Sequence, residues 1–255
     1  MSDTPDSMPA ARPPAVDARQ AFFFDVDGTL LEIAATPSGV RVEAELIATI
    51  RRLHERSGGA VAFISGRNIA DIDALFPGLC LPIAGQHGLE RRDAAGAVHH
   101  HVPQGVDWPG LKARIHTALG DVEGLLLEDK GLSLAVHFRQ QPSLEGRVGE
   151  TLGRLVAEAG DAIRLQPGKC VLEVKPAGRD KGTAIAEFMT EPPFAGRRPV
   201  FVGDDTTDEY GFRVVNEMGG DSVKVGEGKT AARWRLDDVQ AVHDWLADIL
   251  AAAGR

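Results

Sequence analysis

Apolar and polar positions along the chain fall into two alternating patterns. Ala21-Phe22-Phe23-Phe24-Asp25-Val26 is a short, continuous apolar run that breaks into acidic residues, which predicts a strand buried on both faces. Val42 to Glu55 has helical spacing, with Leu46, Ile50 and Leu53 on one side. Ala60 to Ile64 is a second buried strand closed by Ser65-Gly66-Arg67, Ile69 to Phe76 a helix, and Leu81 to Ala84 a third strand. After Lys181 the same rhythm returns. Lys181 to Phe188 begins a helix, Arg198 to Val202 is a buried strand ending in Gly203-Asp204-Asp205, Val223 to Val225 is a last strand, and Val239 to Ala253 a terminal helix. Buried strands alternating with amphipathic helices imply a parallel sheet with helices on both faces.

Between these halves the period changes. Trp108 to Leu119 and Leu144 to Ala159 read as helices. Leu125 to Glu128 and Leu132 to Phe138 read as strands turning at Lys130-Gly131, and Ala162 to Gln166 with Val171 to Lys175 as a second hairpin-like pair. The expected organisation is an α/β core of residues 20–105 and 178–255, an inserted α+β unit of residues 106–177, and a disordered tail of residues 1–19.

Composition changes the picture in three ways. No run approaches the roughly 18 apolar residues that span a bilayer, and the Pro- and Ala-rich start has no apolar core of a secretory signal. The two cysteines, Cys80 and Cys170, form no disulfide framework; a reducing cytoplasm fits them, as two half-buried small hydrophobes. With 28 Lys+Arg against 37 Asp+Glu, the net charge of -9 argues against nucleic-acid and membrane partners. It also repels phosphorylated ligands, so a phosphate site would need local positive charge and a metal. No pattern in the chain requires an oligomer, and a monomer is compatible with it. The run His99-His100-His101 is expected to be a solvated strand end, because neighbours on a strand point to opposite faces. Trp108, Trp234 and Trp245 are expected to be packing residues.

The candidate chemistry lies at strand ends. Asp25-x-Asp27, Ser65 and Asp204-Asp205 each follow an apolar run, and ligands of open α/β sheets bind outside the carboxyl ends of the strands. One such acid could cap a helix, but several in order with a lysine exceed that need. Clustered carboxylates raise each other's pKa unless a cation sits among them, and hard oxygen ligands at an open site favour Mg²⁺. A carboxylate beside Mg²⁺ can attack phosphorus, Ser65 and the amides after Asp25 can bind phosphoryl oxygens, and Lys181 supplies fixed positive charge.

Asp25-Val26-Asp27-Gly28-Thr29-Leu30, Ile64-Ser65-Gly66-Arg67, Lys181 and Gly203-Asp204-Asp205-x-x-Asp208 resemble the four motifs of the haloacid dehalogenase superfamily, in order. The resemblance implies a Rossmann-like core with an inserted cap. It makes Asp25 the nucleophile and Asp27 the acid and then the base. It places Mg²⁺ on the Asp25 side chain, the Asp27 carbonyl and Asp204, with phosphate on Ser65, Gly66 and Lys181. Asp205 and Asp208 become partners of the metal ligands or of the lysine. An acid two residues after the nucleophile points to a phosphatase or phosphomutase.

Gly85-Gln86-His87-Gly88, the segment Glu128 to Arg139, Gly168 to Pro176 and Gly203 to Glu209 are further similar to the trehalose-6-phosphate phosphatases. That implies a phosphorylated disaccharide as substrate, with Glu128, Lys130 and Glu173 on sugar hydroxyls. Arg67 and Arg139 would steady the phosphate or close the cap. His87 is a candidate substrate contact, and His137 stands level between a site and a packing role. Three rivals remain at this stage: a sucrose-phosphate or mannosyl-phosphoglycerate phosphatase of the same build, a phosphohexomutase, and a non-catalytic regulatory module.

Overall fold

The computed structural model describes Pro13 and residues 20–33, 42–101, 105–168 and 170–252. Apart from Pro13 and Gln20 onward, the expected N-terminal tail lies outside these residues, as does Lys169. In chain order the elements are β1 (Gln20–Phe24), α1 (Ala44–Arg56), β2 (Val61–Ile64), α2 (Ile69–Leu75), β3 (Ile83–Gly85), β4 (Glu90–Arg92), β5 (Val98–His100), α3 (Trp108–Leu119), β6 (Leu126–Asp129) and β7 (Leu134–His137). Then follow α4 (Glu145–Ala159), β8 (Ile163–Gly168), β9 (Val171–Pro176), α5 (Lys181–Phe188), β10 (Arg198–Gly203), α6 (Asp208–Glu217), β11 (Asp221–Val225), β12 (Trp234–Leu236) and α7 (Val239–Ala252).

The chain divides into two compact units, one built from the segments up to His99 and from Asp180 onward, the other from His100–Arg179. The first holds a sheet in the order β12-β11-β10-β1-β2-β3-β4-β5. β1 lies between β10 and β2 and runs parallel to both. Its run of phenylalanines divides between the two faces, as the pleat requires. Phe22 and Phe24 join the core formed with Leu46, Ile50 and Leu53 of α1, Ile72 of α2, and Val242 and Leu246 of α7. Ala21 and Phe23 join Ile185 and Phe188 of α5 and Phe212 and Val215 of α6 on the other face. From β1 the strand order runs outward in both directions, so the carboxyl end of β1 is the switch point where such sheets open a ligand crevice.

The second unit is a four-stranded antiparallel sheet, β6-β7-β9-β8. Trp108, Leu111, Ile115 and Leu119 of α3 and Val148, Leu152 and Leu155 of α4 pack on Leu134, Val136, Ile163 and Val174. The Trp108 indole N–H donates to the Gly131 carbonyl at 2.9 Å, which ties α3 to the turn between β6 and β7. Arg179 ties the two ends of this unit together. Its guanidinium meets His101 Nδ1 at 2.6 Å, and its carbonyl accepts from Arg164 at 2.7 Å.

Four elements escape the apolar pattern. β4 reads Glu-Arg-Arg, yet it is an antiparallel partner of β3. Its charges are absorbed individually: Glu90 Oε1 accepts from the Ile69 amide at 2.7 Å, Arg91 pairs with Glu191, and Arg92 grips Asp73 at 2.7 Å through two nitrogens. β5 and β12 are three-residue strands too short to show a period, and α6 begins inside the acidic Asp204–Asp208 segment. Cys80 is exposed and only Cys170 half-buried, which corrects the expectation for the first. His99 is exposed and paired with Asp93 at 2.8 Å. Trp108 and Trp245 are core residues, and Trp234 is half-buried with its N–H on Asp221 at 3.1 Å. Among the described residues, no helix is long and apolar enough to cross a membrane.

Phe23 is the centre of an aromatic cluster, its ring 5.3 Å from Phe194 and 6.1 Å from Phe188 between centroids. Truncation there removes transfer energy and leaves a cavity the strand cannot close. Phe23→Ala is expected to cost about 3–5 kcal/mol of stability. A urea unfolding curve within about 1 kcal/mol of the wild type would contradict this placement of the core.

Candidate active site

The carboxyl end of β1 and the amino ends of α5 and α6 bring three charged side chains together. Asp25 follows β1, its amide bound to the Val202 carbonyl of β10 at 2.9 Å. Lys181 opens α5, whose start is set by a reciprocal cap. The Thr183 amide donates to Asp180 Oδ1 at 2.8 Å, and the Asp180 amide donates to Thr183 Oγ1 at 2.9 Å. The Lys181 ammonium reaches Asp25 Oδ1 at 2.8 Å and Asp208 Oδ1 at 2.7 Å, and all three residues are buried.

Asp208 is a junction. Its second oxygen accepts from the amides of Asp204, at 3.0 Å, and Asp205, at 2.9 Å. A Cβ on Gly203 would lie 2.4 Å from the Asp208 carboxyl carbon, so the carboxylate can fold back under the loop only over a glycine. Asp204 projects its carboxylate over Gly28, which has φ +78°, and where a Cβ would meet Asp204 Oδ2 at 2.1 Å. Thr29 Oγ1 approaches Asp204 Oδ1 at 3.4 Å. Asp205 is exposed and its carboxylate accepts from Thr206 and Thr207, at 3.3 and 3.5 Å.

Asp27 is half-buried and held in a two-point ion pair, with Arg67 Nε and Nη2 each 2.6 Å from a carboxylate oxygen. Ser65 is buried and its hydroxyl oxygen accepts the Arg67 amide at 3.1 Å. Beside it, Gln86 and His87 both adopt left-handed backbone angles, φ 48° and 56°, uncommon for residues with a Cβ. Their amides dock on this loop, Gln86 on the Arg67 carbonyl and His87 on that of Ser65, both at 2.9 Å. The His87 ring packs where a Cβ on Gly66 would be, 2.9 Å away. His87 thus shapes the Ser65–Arg67 loop.

In the second unit, pairing places Glu128 opposite Ala135 and Ala135 opposite Glu173, so both glutamates share one face of the sheet. Glu173 is buried, accepts from Ser133 Oγ at 2.5 Å and has Lys130 at 3.9 Å. Glu128 meets His137 Nε2 at 2.9 Å, which assigns His137 to this polar face. That hydrogen bond outweighs partial burial and holds the Glu128 carboxyl below its ordinary range. Arg139 is exposed beyond β7 and takes no part in these pairs.

Two comparisons carry the family assignment. The trehalose-phosphatase profile matches residues 23–240. Trehalose-6-phosphate phosphatase of Escherichia coli (strain K12) is 45% identical over 245 residues, covering 96% of this chain and 91% of that protein. The chain belongs to the trehalose-phosphatase family. A probable trehalose-phosphate phosphatase of Sinorhizobium fredii is 43% identical over 206 residues, 81% of this chain and 77% of the other. Among solved structures, a trehalose-6-phosphate phosphatase related protein superposes with a TM-score of 0.72 at 26% identity, covering 92% of this chain and 99% of its own. The family is one of phosphatases built on the haloacid dehalogenase fold, so the chain is an enzyme of that class.

The electrostatics of this trehalose-phosphatase site suit a cation. Single oxygens of Asp25, Asp204 and Asp208 lie within 4.8 Å of one another. Asp208 has already given its oxygens to Lys181 and two amides, which leaves Asp25 and Asp204 for a metal. Burial lifts the Asp25 carboxyl well above its usual range, and Asp208 and Asp204 add to this against the Lys181 charge. Burial, then Asp208, lifts Asp204 also. For Lys181, burial favours the neutral amine, but Asp208 and Asp25 outweigh it and keep the ammonium charged. Two crowded, hard carboxylates over a glycine cradle fit a divalent cation, which relieves their repulsion. The Asp208 junction with the loop amides was not legible in the sequence, nor was Lys224, a buried lysine in β11 whose ammonium reaches the Asp204 carbonyl. The available signal was a lysine inside a strand apolar on both sides.

The raised carboxyls fix the sign of a pH effect. A group that binds its proton more tightly when folded stabilises the fold at low pH. That contribution is lost as pH rises above the ordinary aspartate value of 3.8. In chelator this loss grows as pH rises, and a divalent cation, which binds the ionised carboxylates, should offset it. The gain in Tm on adding Mg²⁺ is therefore expected to be larger near pH 7 than near pH 5, and to disappear in Asp204→Asn. Calorimetry showing an equal gain at both pH values would contradict the assignment.

Proposed function

We propose that the chain hydrolyses trehalose 6-phosphate to trehalose and inorganic phosphate through an aspartyl-phosphate on Asp25. The observation that carries this reading is the buried Asp25–Lys181 pair, 2.8 Å apart, at the switch point of the sheet in a chain of this family. Lys181 leaves Asp25 one oxygen for attack and holds it in direction. In the first step that oxygen forms a bond to phosphorus while the bond from phosphorus to the sugar oxygen breaks. Asp27 gives its proton to the departing sugar oxygen. In the second step water attacks phosphorus, Asp27 takes the water's proton, and the Asp25 carboxylate is released with phosphate.

Asp27 has to leave Arg67 before it can serve the leaving group, and a phosphate dianion is a competing partner for the same guanidinium. Ser65, Gly66 and Lys181 complete the phosphate contacts. Mg²⁺ is the metal proposed for the Asp25 and Asp204 carboxylates and the Asp27 carbonyl; when bound it neutralises charge on the transferring phosphoryl group. Asp205 and Asp208 stand behind it. The negative surface fits a small anionic substrate concentrated by local charge rather than nucleic acid or membrane, and two free thiols fit a cytoplasmic setting. Glu128, Lys130 and Glu173, with Arg139 and His87, are the proposed sugar contacts. For Glu128, Lys130 and Glu173 the support is the shared polar face of the second unit, where charged acceptors and donors stand ready for hydroxyls; for Arg139 and His87 it is the resemblance to the family.

Asp25→Asn keeps the shape of the side chain and loses the nucleophile. Phosphate release from trehalose 6-phosphate with Mg²⁺ should fall on the order of 10⁴-fold or more with the fold intact. Substantial residual turnover in that variant would exclude the aspartyl-phosphate. A panel including sucrose 6-phosphate and glucose 6-phosphate tests the substrate, and a preference for either overturns it.

A charge-assisted hydrogen bond to a hydroxyl is worth roughly 1.5–3 kcal/mol. Glu128→Ala and Glu173→Ala should therefore lower kcat/KM for trehalose 6-phosphate by about one to two orders of magnitude. An aryl phosphate has no sugar to lose, so its turnover should hardly change. Equal losses on both substrates would assign the glutamates to structure instead.

A further inference from the structure

Lys224 has no place in the chemistry described above, yet it is built into the acidic loop. In β11 it lies directly opposite Gly203 of β10, one residue before Asp204. Val223 and Val225, on either side of it, face the apolar core. Lys224 takes the opposite face of the pleat and is only 6% exposed. Its ammonium donates to the carbonyl oxygen of Asp204 and, at 2.9 Å, to that of Val225. A buried ammonium is unfavourable unless its donors are used, and an aliphatic side chain would fill the same position without that cost.

The effect on Asp204 is specific. Asp208 holds the Asp204 amide at 3.0 Å, and Lys224 holds the Asp204 carbonyl. The peptide group before this residue is therefore fixed by a carboxylate, and the one after it by the same carboxylate at its N–H and by an ammonium at its carbonyl. What remains free is the side chain, and its carboxylate is confined over Gly28 and beside Thr29. Without Lys224 the main chain at Asp204 would be held by Asp208 alone, and the carbonyl that turns the carboxylate toward Gly28 and Thr29 would lose its anchor.

We propose that Lys224 is a positioning residue for the cation. Through the Asp204 carbonyl it aims the Asp204 carboxylate and so sets the affinity of the site for a divalent metal. This rests on the reading of Asp25 and Asp204 as the carboxylates that hold the cation. Both contacts of Lys224 are to main-chain oxygens, so it does not address the substrate. Its loss separates metal affinity from substrate affinity, which a merely structural residue would not do.

The test is a Mn²⁺ titration of the full chain followed by electron paramagnetic resonance, without substrate. Wild type is expected to bind Mn²⁺ and Asp204→Asn to bind it poorly; wild type failing to bind, or Asp204→Asn binding normally, removes the metal reading and this proposal with it. Lys224→Met is expected to weaken Mn²⁺ binding about 10–100-fold, the usual effect of removing a group that orients a metal ligand. In the same protein, kcat should recover as Mg²⁺ is raised, and KM for trehalose 6-phosphate at saturating Mg²⁺ should stay at the wild-type value. If circular dichroism shows that Lys224→Met does not fold, Lys224→Gln carries the test, since its amide can still donate to one carbonyl; the expected loss is in the same direction and smaller. A folded variant that binds Mn²⁺ as wild type does, or that raises KM without changing metal affinity, overturns the proposal while leaving the metal reading in place.

Discussion

The arrangement of the first unit depends on one buried cation between two buried carboxylates. Lys181 lies 2.8 Å from Asp25 and 2.7 Å from Asp208, all away from water. Three such charges are stable in that setting only together. Removing the lysine would leave two buried anions, and removing either acid would leave the ammonium half-satisfied. The pair ties α5 to the ends of β1 and α6, so a single ammonium joins elements far apart in sequence. It also commits one Asp25 oxygen to the ammonium.

Around that centre the loops are shaped by close approach. Asp208 folds beneath Gly203 to gather the Asp204 and Asp205 amides, and Asp204 leans over Gly28. Neither contact survives a Cβ, which is the physical reason for glycine at these two positions. The strained Gln86–His87 pair does similar work for the Ser65–Arg67 loop, spending backbone energy to hold a polar turn against it. Preorganisation of this kind lets charges meet a reacting phosphate without rearrangement of the main chain.

The two units divide the physical problem. The first places Asp25 and Asp204 just past the ends of its central strands β1 and β10 and Lys181 at the start of α5. The second spends one face of its sheet on packing against α3 and α4 and leaves polar side chains on Glu128, Lys130, His137 and Glu173 on the other. No residue of that polar face belongs to the buried triad of Asp25, Lys181 and Asp208.

The layered core, its strands of phenylalanine and valine, the helices that cover them and the acidic strand ends were all determined by the order of residues. These features are local: period, apolar runs and breaks are properties of adjacent positions. The presence of Asp25, Asp27, Ser65, Lys181 and Asp204 in sequence was equally legible, since Asp25, Ser65 and Asp204 directly follow a strand, Lys181 opens a helix, and Asp27 stands two residues after Asp25. Tertiary structure decided the partners. Arg67 closing on Asp27, Asp208 meeting Lys181, and Lys224 reaching the Asp204 carbonyl all join residues separated by other elements. It also decided β4, whose Glu-Arg-Arg pattern denies a strand until Asp73, Glu191 and the Ile69 amide neutralise it. Local order sets where the chain is apolar and where charge is placed. Which charges satisfy one another depends on side chains meeting across the sheet, and adjacency along the chain carries no record of that.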